Sequence, residues 1–206
     1  MGQRTAFLIK KNYREYNEDK TSYREVCEIS LLHHQWGIGK VTPMLFLDQL
    51  IEANYSCNRR KGYDFGKNRL LDEFTFEPLD PEPYIGREKH YKDVDDVDVW
   101  DKDTRVRLFD MTDNNNGGMV IELTQKYDDD GSPRTYGNFY TGKIGFVLGY
   151  EETNKPFEKI VNAKTFMNKT WHDKKGNNKF LKAFLILCEM LDIEEYKVDS
   201  KKEVVA

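Results

Sequence analysis

The chain has 206 residues, 32 Lys and Arg against 36 Asp and Glu, a formal net charge of −4 and a sequence pI of about 5.7. Hydrophobic residues at 38 % and aromatics at 13 % supply material for one core, while 33 % charged residues and a mean hydropathy of −0.78 call for extensive loops and exposed faces. The acidic balance speaks against a general nucleic-acid binder, which is basic as a rule. No apolar run reaches transmembrane length, which speaks against a membrane role.

Arg4–Lys10 (RTAFLIK) reads as a first strand, followed by a polar loop or irregular edge over Lys11–Lys20. Tyr23–Leu32 (YREVCEISLL) alternates and reads as a second strand, pairing antiparallel with the first across a long connection. His33–Lys40 is a polar, glycine-punctuated turn. Thr42 then stands as N-cap and Pro43 as first helical residue, with Leu45, Leu47, Leu50 and Ile51 forming an apolar stripe, so a helix is expected over 43–55. Ser56–Arg69 (SCNRRKGYDFGKNR) is the most basic stretch, with Tyr63 and Phe65 interleaved. That pattern suits either a solvated helix end or a surface that contacts phosphates and bases.

Leu70–Arg107 changes character and reads as an insertion or excursion on the core. Pro78, Pro81 and Pro83 block regular structure, and a run of aspartates follows from Asp93 to Asp103. The run reads as a solvated acidic face. Its carboxylates could otherwise hold a divalent cation, though the ligand order of a calcium loop is missing. Val106–Met111 and Met119–Gln125 are strand-like, with Thr112–Gly118 (TDNNNGG) as the hairpin turn between them. Tyr127–Pro133 is a further turn, and Gly137–Tyr150 is glycine-rich and β-prone. Pro156 opens a helix expected to run to about residue 172. Asn178 caps a last helix, Lys179–Asp192, whose Phe180, Leu181, Phe184, Leu185, Leu187, Cys188 and Leu191 make it apolar on most of its circumference. Ser200–Ala206 reads as a frayed tail.

These elements predict an α+β fold. One domain, 1–206, carries a mostly antiparallel sheet of about five to six strands, with the helices at 43–55, 156–172 and 179–192 packed on one face. Cys27, Cys57 and Cys188 are few, odd in number and far apart, which points to reduced thiols and an intracellular, cytoplasmic setting.

The chemistry concentrates at the expected strand-to-helix junction. Trp36 is placed to stack on a planar group, and Lys40 with the backbone N–H groups of the helix start to face an anion. Arg4, His34, Arg59 and Arg60 complete the candidate ligand-binding set. Gly39-Lys40 does not make a P-loop, because His34 stands where its first glycine belongs. His33 and His34 are adjacent in a strand and point to opposite faces, so they do not chelate one zinc ion. No nucleophile motif is present. No catalytic residue, metal or cofactor is therefore assigned.

The opening MGQRTAFLI, the segment SLLHHQWGIG before a helix, and the turn TDNNNGG resemble a family of small phage- and prophage-encoded proteins of unsettled function. Those begin with a pattern like MGNRAVI and continue with a strand ending YLHWNGG. Gly2, Arg4, Leu32, His33 or His34, Trp36 and Gly37 carry the match. The resemblance implies a phage accessory protein working in the host cell cytoplasm, and implies no reaction. Two function classes follow. The favoured one is a non-enzymatic protein that binds a small anionic, nucleotide-like ligand or a host protein, for instance to counter host defence. The other is a divalent-cation-dependent phosphoesterase or nuclease using carboxylates of Asp93–Asp103 or Asp110–Asp113. A structural or assembly factor is a third reading, and the oligomeric state is left open.

Overall fold

Apolar side chains on both faces make the first strand the centre of the sheet. In β1 (Thr5–Tyr16) Phe7 faces one way and Ala6 and Leu8 the other, and all three are fully buried. The structure is a computed structural model and describes residues 4–34, 42–44, 46–47, 82–112, 116–134, 137–169 and 176–197. β1 pairs antiparallel with β2 (Tyr23–His34) and parallel with β4 (Gly118–Gln125). β2 carries β3 (Glu82–Tyr91) on its other side, and β4 pairs antiparallel with β5 (Tyr140–Val147). β6 (Ile160–Val161) and β7 (Ile193–Glu195) both pair with β5, β6 antiparallel at Phe146–Val147 and β7 parallel at Gly142–Ile144. The result is a mixed, mostly antiparallel seven-stranded sheet in an α+β fold.

Helices cover both faces rather than one. Residues 42–44 and 46–47 are helical (α1), and Phe46 stacks on Phe7 with ring centroids 5.6 Å apart. α3 (Ala163–Lys169) and α4 (Asn177–Leu191) join α1 over the Phe7, Met119, Ile121, Ile144 and Phe146 face. α2 (Lys102–Phe109) packs with Val99, Phe157 and Ile160 over Ala6, Leu8, Leu31, Val120 and Val147. The physical reason is the double-sided apolar alternation of β1 and β4, which leaves two faces to be removed from water.

Several local expectations are corrected. β1 does not stop at Lys10 but runs to Tyr16, so the connection to β2 is the short turn 17–22. In that turn Ser22 N–H donates to the Asn17 side chain at 3.1 Å. Val106–Met111 is not a strand. Asp101 accepts from Thr104 N–H at 2.8 Å and opens α2, so TDNNNGG connects a helix to β4 rather than closing a hairpin. Gly117 there has φ +78°, and a Cβ would lie 2.1 Å from the Val147 carbonyl oxygen, so only glycine fits. The proline-rich region is not devoid of regular structure. β3 contains Pro83 and sits at the end of the strand order, where a missing N–H is tolerated. No helix starts at Pro156. Phe157 is buried with φ 61°, a left-handed conformation that no helix accommodates, and α3 begins only after Asn162 accepts from Thr165 N–H at 2.8 Å. Gly176, not Asn178, caps α4. Among the described residues, no helix is long and apolar enough to cross a membrane.

Candidate ligand-binding surface

The tripeptide Tyr-Arg-Glu occurs twice, at residues 13–15 in β1 and 23–25 in β2. The antiparallel register sets Arg14 opposite Glu25, Glu15 opposite Arg24, and Tyr16 opposite Tyr23. Opposite residues share a face, so the two triplets form a charged, aromatic ribbon with alternating sides.

One side is built around Arg14. Its guanidinium lies 4.5 Å from the Tyr23 ring centroid and 4.4 Å from that of Tyr127, which arrives from the turn after β4. The Arg14 backbone N–H donates to the Tyr127 hydroxyl at 2.5 Å, and the Tyr16 hydroxyl donates to the Gly131 carbonyl at 2.7 Å. A hydrogen bond to Tyr16 holds the Arg14 guanidinium above its ordinary pKa against the opposing effect of desolvation. Burial chiefly raises the Tyr127 phenol. Among the described residues, no carboxylate forms an ion pair with Arg14. A permanently charged fork is thus set against two rings, with no ion pair to an acid among the described residues.

On the other side Arg24 lies 3.8 Å from the Tyr91 ring centroid and grips Asp93 at 2.8 and 3.0 Å. That hydrogen bond holds the Asp93 carboxyl below its usual range. Lys89 pairs with Glu15, which also accepts from the Tyr91 hydroxyl at 3.2 Å. Lys11 lies 5.4 Å from the Tyr13 ring and 5.5 Å from the Tyr140 ring. At the ribbon's edge Tyr23, Arg24, Glu25, Lys92 and Asp93 line a shallow depression of about 430 Å³.

The residues expected to bind ligand are placed differently. Arg4 is tied at its backbone to Asn116, whose side chain accepts from Arg4 N–H at 3.2 Å and whose N–H donates to Arg4 O at 3.1 Å. His34 ends β2 opposite Thr5, so Arg4 and His34 are brought to one end of the sheet. The ribbon is at the other end of β2, roughly 36 Å away along a 12-residue strand. Trp36, Lys40, Arg59 and Arg60 lie outside the described residues.

The acidic run is exposed at all six of its aspartates, as expected of a solvated face, and most of them also make contacts within the fold. Beyond the Arg24–Asp93 pair, Asp95 meets His90 at 2.8 Å and Asp96 accepts from Lys10 at 2.7 Å. Asp98 accepts from Trp100 N–H, and Asp101 caps α2. Asp110 accepts from the Tyr150 hydroxyl at 2.8 Å. Among the described residues, no group of three or more His, Cys, Asp or Glu side chains is arranged to hold a metal ion. The loop or irregular edge expected over Lys11–Lys20 is strand as far as Tyr16, and the ribbon lies there. The signal that discloses it is the repeated Tyr-Arg-Glu, whose charges become complementary only when one copy is reversed against the other. No protein-family model, curated protein or solved structure matches the chain.

Proposed function

We propose that the chain is a non-enzymatic binding protein for a small anionic, nucleotide-like ligand, held at the tyrosine–arginine ribbon. The observation that carries this reading is Arg14, set against the Tyr23 and Tyr127 rings and, among the described residues, without an ion-paired acid. A phosphate accepts from a guanidinium fork with good geometry, and a base or nicotinamide-like ring stacks on the half-exposed Tyr23. Tyr23 also lines the shallow open depression at the ribbon's edge, with Arg24 and Lys92 beside it. Binding without turnover suits the phage accessory role that the sequence resemblance implies, with a host nucleotide signal as the ligand. The reading is preferred to a metal-dependent phosphoesterase because, among the described residues, no three His, Cys, Asp or Glu side chains are grouped to hold a metal ion, and Asp93, Asp95, Asp96, Asp98, Asp101 and Asp110 are engaged by Arg24, His90, Lys10, Trp100, Thr104 and Tyr150.

The test is a thermal-shift and calorimetric screen against cyclic and linear nucleotides and ADP-ribose derivatives, with chromatography of the recovered ligand. A ligand at 100 times its dissociation constant stabilises by about 2.7 kcal/mol. The expected result is a nucleotide hit, recovered intact. Arg14→Ala and Tyr23→Ala should each weaken it at least tenfold, with circular dichroism unchanged. If binding survives Arg14→Ala but is lost in His34→Ala or Trp36→Ala, the site is the strand-to-helix junction and the ribbon assignment is wrong. Silence across the panel overturns the anionic-ligand reading and turns the search to a host protein. Conversion of the ligand overturns the non-enzymatic reading.

A further inference from the structure

α4 has two apolar sides, and the sheet uses only one. Ala183, Phe184, Leu187, Cys188 and Leu191 are buried against the core. On the opposite side Asn178, Leu181, Lys182, Leu185, Ile186 and Glu189 line a shallow open groove of about 380 Å³. These positions recur at helical spacing and form one continuous stripe. Leu185 at its middle is 46 % exposed. A helix apolar around most of its circumference belongs inside a larger core or against a partner.

The charges on the stripe identify the partner. Lys182 and Glu189 flank the Leu185–Ile186 pair at equal distances along the helix. They are seven residues apart, roughly 10 Å, too far to pair with each other. Among the described residues, neither has an ion-pair partner within the chain. Turned antiparallel about a two-fold axis between Leu185 and Ile186, a second α4 presents Glu189 to Lys182 and Lys182 to Glu189. Leu185 then meets Ile186 at the centre. The stripe is therefore complementary to itself, which is the condition for an isologous dimer. We infer that the chain forms a two-fold dimer through the outer face of α4, with antiparallel helices, an apolar centre and two symmetric Lys182–Glu189 ion pairs.

Sedimentation velocity of the full chain over a concentration series tests this. The expected mass tends to twice 24.3 kDa as concentration rises. Lys182→Glu sets glutamate against Glu189 in both symmetric positions, and Glu189→Lys sets lysine against Lys182. Each single reversal should shift the chain to monomer, and the double reversal Lys182→Glu/Glu189→Lys should restore the dimer. Leu185→Arg should also give monomer. All three positions face solvent or the open groove, so unchanged circular dichroism should accompany each variant. A wild-type chain that stays monomeric up to several hundred micromolar overturns the proposal. So does a dimer that ignores the single reversals, or a double reversal that fails to reassemble.

Discussion

Lys10 illustrates how this sheet buries charge. The residue is 5 % exposed, and its ammonium donates to Asp96 and to the Val97 carbonyl, both at 2.7 Å, with Glu122 at 3.9 Å. Burial works to raise the Asp96 carboxyl, but the hydrogen bond and charge of Lys10 outweigh it and hold the group below its ordinary value. The two partners are unequal, because the Asp96 side chain is 47 % exposed while Lys10 is enclosed. Removing the acid strands a buried cation, whereas removing the lysine leaves a carboxylate that water can reach. Asp96→Ala should therefore cost roughly 2 kcal/mol, and Lys10→Met less, in urea-midpoint measurements. The sign of the pH effect follows from the depressed native pKa. Asp96 contributes stability that is present above 3.8, its unperturbed value, and is lost as pH falls through the lower native value. Asp96→Asn should accordingly flatten the acid limb of the stability curve below about pH 4. The acidic run was legible in the sequence as charge. That one of its members neutralises a lysine 86 residues earlier was not, because no local pattern encodes the pairing.

Among the elements, α2 shows where local reading fails. Its Val106 and Leu108 fit a short strand as well as a helix, since so few residues do not separate a period of two from one of 3.6. The helix is decided by Asp101 at its N-cap and by Arg105, which is 3 % exposed. The Arg105 guanidinium donates to the carbonyls of Phe157, Trp100 and Glu158 and so ties α2 to two loops. Burial lowers its pKa, but no acid is needed, because three carbonyl oxygens receive the fork. Arg105→Lys keeps the charge and loses the planar fork. It should lower the urea midpoint with an unchanged slope, by about 2–3 kcal/mol. A loss below 0.5 kcal/mol would show that the strap is dispensable. α4 is the opposite case. Its apolar spacing marks it as helix from the sequence alone, whereas only the folded structure shows which of its apolar sides meets the sheet.

At the scale of the molecule, one sheet serves two cores. Phe7 supports the α1, α3 and α4 side, and Leu8, its neighbour, supports the α2 side. Because both project from β1, loosening either side should weaken the whole. Phe7→Ala and Leu8→Ala are each expected to cost about 3–4 kcal/mol, with far-ultraviolet circular dichroism and tryptophan fluorescence moving through a single shared transition. Separate transitions would show two independent folding units. The short-range architecture could be read from the chain. Alternation announced β2, β4 and the start of β1, turn residues bounded them, and helical spacing announced α4, because each of those signals lies within a dozen residues. The parallel pairing of β1 with β4 was decided only by the folded whole. So were the strand role of a proline-bearing segment at the sheet edge, the division of helices between two faces, and the meeting of Arg14 with a tyrosine 113 residues away. Each of these depends on which distant surface removes a given side chain from water or answers its charge. That choice is made by the competition among all such surfaces at once.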